Sequence, residues 1–174
     1  MLGYVTANER GTTDALLRAV AARLTAEGVA LIGAVQDTHA PDACAEPGDP
    51  ACQMDLTLLP AGQVIRISQT LGRHATGCRL DTDGLERAAG HLARAMDSRP
   101  ALMVINKFGR QEAEGRGFRP VIGQAVCDGV PVLTAVAADH LAAFCDFAGD
   151  QATALPADLG AVLDWCHARL DRSA

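Results

Sequence analysis

Residues 101–109 read ALMVINKFG, and this stretch decides the fold. Its first five residues form an uninterrupted apolar run that stops at Asn106 and Lys107. Such a run is expected of a central parallel strand that is covered on both faces. In open parallel sheets ligands bind beyond the carboxyl ends of the strands. We therefore expect an α/β fold. At the end of this strand, the candidate ligand-binding residues begin at Asn106.

The segments before this strand alternate between strand and helix patterns. LGYVTA (2–7) is typical of a strand, the apolar residues from 13 onward recur at helical spacing until Gly28, and VALIGAVQ (29–36) is typical of a second strand. A strand, loop, helix and strand of these lengths form a βαβ unit, which builds parallel sheets. The pattern predicts further helices over 83–97, 118–128, 139–148 and 157–171, and another strand over 130–136.

A β-hairpin interrupts this alternation at about residues 52–69, where CQMDLTLL and QVIRISQ flank the turn Pro60-Ala61-Gly62. The predicted fold class is therefore α/β, with a mostly parallel sheet between helices in a Rossmann-like three-layer arrangement and an inserted hairpin. The chain has 174 residues, which fits a single domain over 1–174.

Composition excludes several function classes. Aromatic residues make up 3% of the chain and the net charge is -6, so neither stacking platforms nor long basic runs favour nucleic-acid binding. No run of about 18 apolar residues is present, which argues against membrane insertion. The amino terminus lacks the pattern of a secretion signal, and we expect a cytoplasmic protein.

Lysine usage is uneven: of 15 basic residues, Lys107 is the sole lysine. Coding bias explains the abundance of arginine but not the one lysine that is kept. Its presence indicates a site that needs a compact, rotatable ammonium rather than a planar guanidinium.

The loop after the first strand resembles an incomplete phosphate-binding loop. Residues 6–13 (TANERGTT) align with G-x-x-x-x-G-K-[ST], keeping Gly11 and Thr13 but lacking the first glycine and, at Thr12, the lysine. The free N–H groups at a helix amino terminus favour anions. On this interpretation, the residues that contact phosphate are Asn8, Arg10, Gly11, Thr12 and Thr13. The alternative is a plain turn between strand and helix.

The loop after the central strand carries cations and glycines. Its candidate anion contacts are Asn106, Lys107, Gly109, Arg110 and Arg116. We hypothesise that Lys107, reaching from a neighbouring strand end, supplies the ammonium that position 12 lacks. The alternative is a solvated loop and helix start.

The cysteines give a third candidate. Cys44, Cys52 and Cys78 lie on the middle loops, with His39 and His74 nearby in sequence, and sulfur with imidazole can hold Zn²⁺, copper or a redox centre. No CxxC pair is present, so ordinary thiols are the alternative. Three other cysteines fall on predicted helices, where we expect small core residues: Cys127, Cys145 and Cys166.

At 104–118 (VINKFGRQEAEGRGF) the sequence resembles a bacterial family of unknown function encoded in or near molybdate-transport and nitrogen-fixation operons. Further matching segments are DALLRAVAARL (14–24), CQMDL (52–56), IRISQTLG (65–72) and GCRLD (77–81). That family in turn resembles divergent P-loop nucleoside triphosphatases with a hairpin after the second strand. In active relatives the position of Asn106 is an Asp, that of Lys107 a Glu, and that of Thr12 the phosphate-loop lysine.

The resemblance implies binding of ATP or GTP with Mg²⁺, in molybdenum handling, with weak or absent hydrolysis because the acidic groups are replaced. It assigns no catalytic residue. Two alternatives remain open: a non-enzymatic binder of an oxyanion such as molybdate, and a metal or redox module on Cys44, Cys52 and Cys78. A homodimer is left open as well.

Overall fold

The computed structural model describes residues 1–6, 12–39, 53–69 and 80–171. Seven strands form one sheet in the order β4-β3-β2-β5-β6-β1-β7. The strands are β1 (Leu2–Val5), β2 (Leu31–His39), β3 (Gln53–Leu59), β4 (Gln63–Arg66), β5 (Leu102–Phe108), β6 (Val132–Val136) and β7 (Ala152–Leu155). The helices are α1 (Thr12–Ala26), α2 (Thr82–Ala95), α3 (Arg110–Ala113), α4 (Arg119–Cys127), α5 (Leu141–Ala148) and α6 (Leu159–Leu170).

The sheet is mostly parallel, and the predicted fold class is confirmed. β2, β5, β6, β1 and β7 run parallel to one another, whereas β3 and β4 pair antiparallel at one edge. The hairpin is thus confirmed as an insertion, although its regular strands end at Arg66, and residues 67–69 continue as irregular chain with an isolated bridge from Ser68 to Leu80.

Helices cover both faces of the sheet because the central strands are apolar on both sides. On one face, α1 and α6 bury Leu17, Val20, Val162 and Trp165 against Val104 of β5. On the other face, α2, α4 and α5 form a second core together with Ile105, the next residue of β5. The buried residues that these helices contribute include Leu85, Leu92, Ile122 and Phe144. Alternate residues of one strand therefore hold the two helical layers.

The central strand is longer than the sequence predicts. β5 continues through Asn106 and Lys107 to Phe108, instead of stopping at Ile105, and its pairing with β6 shifts register between Ile105 and Phe108. Phe108 is completely buried in the core beside Phe144, which explains why the chain stays extended past the polar pair.

The strand next to β5 is not the one that we expected from the sequence, which was β1. β6 lies between β1 and β5, so the end of β5 is not directly beside the end of β1. β7 was not predicted, since its four residues (ATAL) are all partly or fully exposed and form no apolar run.

Within the described residues, no helix is both long and apolar enough to cross a membrane.

One glycine fixes how the hairpin meets the helices. A Cβ on Gly84, in the first turn of α2, would lie 2.5 Å from the backbone oxygen of Arg66 at the end of β4. Glycine therefore permits the amino end of α2 to pack directly on β4. Arg66 also binds Asp55 of β3 through both guanidinium contacts, at 2.7 and 3.3 Å, which ties the two hairpin strands together.

Candidate functional site at the carboxyl edge of the sheet

The end of β5 meets the first turn of α1 through one buried hydrogen bond. Asn106 Nδ2 donates to Asp14 Oδ1 over 2.9 Å, and both residues are buried. Asn106 Oδ1 is also buried and has no hydrogen-bond partner among the residues that the structure describes. An unsatisfied buried oxygen is costly in a folded protein, so a partner that supplies a donor is favoured here.

The phosphate-binding loop predicted from the sequence is only partly described. Thr12 and Thr13 lie in the first turn of α1, Thr12 exposed and Thr13 half-buried. Asn8, Arg10 and Gly11 lie outside the described residues, and their predicted contacts stay predictions.

Two of the cations after β5 pair with side chains of their own loop, and their predicted anion contacts stay predictions. Arg110 Nε donates to Glu114 Oε1 over 2.8 Å, and Arg116 contacts the same carboxylate through Nη2. Arg116 Nε also donates to Gln111 Oε1 over 2.9 Å. Glu114, which is close in sequence to both arginines, thus neutralises much of their charge.

Arg119 turns into the fold. Its Nη1 donates to the backbone oxygen of Glu112 at 3.3 Å, and its guanidinium lies 4.7 Å from the centre of the Phe147 ring. Lys107 is half-buried and, within the described residues, makes no ion pair. Of the four cations that the sequence places between 107 and 119, Lys107 therefore keeps an ammonium without a carboxylate partner in the described part of the chain.

Glu112 organises the loop from inside. Its Oε2 accepts from the N–H of Gly109 at 2.9 Å, and its Oε1 accepts from the N–H of Phe118 at 3.0 Å. One carboxylate thus holds the amino ends of α3 and α4. Burial raises the pKa of Glu112 above its ordinary value, and the backbone N–H groups of Phe118 and Gly109 oppose that rise.

The loop closes tightly around this carboxylate. Gly117 adopts a φ of 59°, and a Cβ there would lie 2.3 Å from Glu112 Oε1. Its N–H donates to Glu86 Oε1 of α2 at 2.8 Å. Gly117 is therefore required for both its backbone conformation and the space that it leaves.

A cavity of about 260 Å³ opens beside this loop, on the face of the sheet that carries α2. Its walls are largely apolar, and its polar residues come from the ends of β2 and β5 and from the loop after β5; they include Gln36, Lys107, Gln111 and Glu112. Asn106, Gly109 and Arg110 from the predicted set also contribute to the lining. The structure thus brings together most of the predicted second loop, around a cavity that the sequence did not reveal.

Sequence reasoning missed two residues at this edge. Asp14 carried only the weak signal of an acidic residue in the first turn of a helix, and Glu112 looked like one more charge in a polar loop. The partner of Asp14 is 92 residues away, so nothing local predicted the contact.

The predicted metal site on Cys44, Cys52 and Cys78 lies outside the described residues, as does His74. Within residues 1–6, 12–39, 53–69 and 80–171, no group of three His, Cys, Asp or Glu side chains is placed to hold a metal ion. Of the helical cysteines only Cys166 is a core residue; Cys127 and Cys145 are exposed, contrary to expectation, because they lie on the outer faces of α4 and α5.

Mg²⁺ fits the described donors poorly. Mg²⁺ is usually held through one or two carboxylates together with substrate phosphates. At this edge Asp14 already accepts the amide of Asn106, and Lys107 adds a positive charge at the next position of β5. The described residues at this edge are therefore a poor set of ligands for Mg²⁺.

Two solved structures share this fold. THEP1 from the hyperthermophile Aquifex aeolicus matches with a TM-score of 0.67 at 15% identity, over 99% of this chain and 100% of that one. The solution structure of a human cancer-related nucleoside triphosphatase matches with a TM-score of 0.67 at 14% identity, over 99% of this chain and 98% of that one. At such identities the likeness shows the fold alone, which is the predicted α/β arrangement of a mostly parallel sheet between helices.

Sequence comparison finds one related ATP-binding protein and one family. Over 116 residues, or 66% of this chain, the sequence is 39% identical to the molybdenum import ATP-binding protein ModC 2 of Bradyrhizobium diazoefficiens. The matched segment spans only 13% of that relative's length. A family profile described as "protein of unknown function (DUF2478)" matches residues 2–165. This chain therefore belongs to the DUF2478 family.

Proposed function

We propose that this chain binds a nucleoside triphosphate through its phosphates at the carboxyl edge of the sheet. We also propose that it hydrolyses this nucleotide slowly or not at all. The observation that carries the proposal is the hydrogen bond from Asn106 to Asp14, because it ties the end of β5 to the first turn of α1. The positive end of the α1 dipole and the ammonium of Lys107 would then act on one anion.

The name of the sequence relative supports the choice of ligand. It is an ATP-binding protein, and its matched segment covers two thirds of this chain at 39% identity. The same name mentions molybdenum import, which supports a role of this chain in molybdenum handling. ATP and GTP remain equal candidates, since no residue of the described chain distinguishes the bases.

Weak hydrolysis follows from the groups at the end of β5. Asn106 and Lys107 stand where the active P-loop relatives have carboxylates, and an amide or an ammonium is a poor acceptor for the proton of attacking water. Phosphate release from ATP should stay at the level of the buffer blank. Rapid release that an Asn106→Ala substitution abolishes would contradict this part of the proposal.

Calorimetric titration tests the binding site. ATP and GTP, each with and without Mg²⁺, should bind the wild-type chain, and Lys107→Met should weaken binding about tenfold, since one charge-assisted contact is lost. Arg94→Met is the matched control: it removes one cation from the exposed surface of α2. Equal affinities of the wild-type and Lys107→Met chains would refute the role of Lys107.

A second candidate is binding of molybdate without nucleotide. It is favoured by the ammonium of Lys107, which pairs with no carboxylate in the described residues, and by the transport role in the relative's name. Thermal stabilisation by molybdate but not by ATP would select this function, with sulfate as the control for a generic tetrahedral dianion.

Three further expectations stay predictions. A metal or redox module on Cys44, Cys52 and Cys78 would lose its metal in a Cys52→Ser, Cys78→Ser chain, which elemental analysis detects. A homodimer is tested by light scattering of the purified chain. A cytoplasmic location is tested by cell fractionation.

A further inference from the structure

We propose that the cavity beside the loop after β5 is a binding site for a small organic anion with an apolar body, such as a medium-chain carboxylate, and that this site shares Lys107 with the proposed nucleotide site. The proposal rests on the size of the cavity, the chemistry of its walls and the charges around its polar end. It does not depend on nucleotide binding.

The walls explain the apolar part of the ligand. Met54, Ile67, Leu80, Leu85 and Phe118 line the cavity. The volume of about 260 Å³ lies just below the usual range for drug-sized ligands, so a ligand with a short chain or one ring fits. Burying its carbon atoms against these side chains supplies most of the affinity.

The polar end explains the charge. Lys107 lines the cavity and makes no ion pair within the described residues. The side chain of Gln111 receives the Nε–H of Arg116 on its oxygen, which leaves the amide NH₂ as a donor. An ammonium and an amide donor together suit a carboxylate.

The acidic residue of the lining does not cancel this preference. Both carboxylate oxygens of Glu112 accept backbone N–H groups, from Gly109 and Phe118, so its charge is already compensated within the protein. The other nearby cation, Arg110, is paired with Glu114. Lys107 therefore decides the sign of the ligand.

The cavity lies on a different face from α1. Ile67, Leu85 and Phe118 belong to the core that packs against α2, whereas α1 packs into the core on the opposite face. A nucleotide at the start of α1 and an anion in the cavity would thus lie on opposite faces of the sheet and meet at the end of β5, where Lys107 can contact one of them at a time.

Titration of the wild-type chain with hexanoate, acetate and hexylammonium tests the proposal directly. Hexanoate should bind at least about 30-fold more tightly than acetate, because four more methylene groups are buried. Hexylammonium should not bind at the same concentrations. In amide-resolved NMR, hexanoate should shift the signals of Leu80, Leu85 and Phe118 and leave those of α6 in place.

Two substitutions locate the site. Lys107→Met should weaken hexanoate binding about tenfold, and Arg94→Met should leave it unchanged. Leu80→Trp should fill the cavity and prevent binding, whereas Leu159→Trp adds the same bulk to a residue that is 41% exposed on α6 and should have no effect. Melting temperatures of all four variants report whether each is folded.

The proposal is overturned if hexylammonium binds as tightly as hexanoate, if Lys107→Met keeps the wild-type affinity, or if the NMR shifts fall outside the cavity. The experiments on the wild-type chain are decisive even if Leu80→Trp fails to fold.

Discussion

Asn106 and Asp14 are hydrogen-bonded across the carboxyl edge of the sheet, with 2.9 Å between Asn106 Nδ2 and Asp14 Oδ1. The amide is what makes this contact favourable, because a carboxylate at position 106 would face another carboxylate in a buried site. The amide side chain at the end of β5 is thus coupled to a residue of α1.

Asn106→Asp should lower the free energy of unfolding at neutral pH by about 3 kcal/mol, since it removes the donor and places two buried carboxyl groups in contact. Such a pair holds one proton in common, which raises a pKa in the folded state above the unfolded value. The loss should therefore be small near pH 4 and grow as pH rises. Urea unfolding at several pH values measures it.

The control is Asp14→Asn combined with Asn106→Asp. This chain again has one amide and one carboxylate at the contact, with the roles exchanged, and should recover most of the lost stability. A destabilisation that does not change with pH, or no recovery in the double variant, would contradict the argument.

Glu112→Ala should destabilise the chain by about 2–4 kcal/mol. The substitution removes the acceptor of two backbone N–H groups, those of Gly109 and Phe118, in a site that is 3% exposed. Urea unfolding measures the change. Glu86→Ala is the comparison: Glu86 accepts one N–H, from Gly117, but is exposed on α2, so the loss should be well under half as large.

The pKa of Glu112 also predicts how stability depends on pH. Burial raises that pKa in the folded chain, so the folded state holds the proton more tightly than the unfolded state. The contribution of Glu112 to stability is therefore complete below the ordinary glutamate pKa and is lost as pH rises through the raised value. Glu112→Gln does not titrate, so the stability difference between it and the wild type should shift in its favour across this interval. A constant difference would contradict the direction of the shift.

Much of the fold was predictable because its central strands are apolar on both faces. The run before Asn106, the βαβ unit and the hairpin all rest on local patterns that tertiary contacts reinforce. β7 lacks such a pattern, since a partly exposed edge strand needs few apolar residues. The extension of β5 to Phe108 depends on a buried aromatic partner in α5, which no local pattern reveals.

The candidate site was less predictable because its charges are decided by pairing. Arg110 and Glu114 are four residues apart, a spacing that favours an ion pair on a helix, and this signal was available in the sequence. The contact between Asp14 and Asn106 was not, since it joins two elements that only the sheet order brings together. Lys107 remains a candidate anion contact because no described carboxylate pairs with it.

The cysteines of the described helices should differ in reactivity. Burial raises the pKa of the Cys166 thiol to about 12, so at pH 8 almost none of it is thiolate. Cys127 and Cys145 are exposed. Iodoacetamide should alkylate Cys127 and Cys145 in the native chain and reach Cys166 only after unfolding, as peptide mass spectrometry would show. Alkylation of Cys166 at the rate of Cys127 would contradict the packing of α6.

Glu114→Gln should strengthen anion binding at the loop after β5. The carboxylate of Glu114 pairs with Arg110 and Arg116, and its hydrogen bond with Arg110 lowers its pKa, which favours the ionised form. Removing that charge leaves the guanidinium groups of Arg110 and Arg116 without their shared counter-ion. Because the Glu114 side chain is 38% exposed, the gain is modest: affinity for inorganic phosphate should rise about two- to fivefold at low salt and less at high salt. Glu27→Gln, just after the carboxyl end of α1, removes a carboxylate that also has two partners, Arg23 and His167, and should leave phosphate affinity unchanged. If both variants bind phosphate like the wild type, Glu114 does not control the charge of this loop.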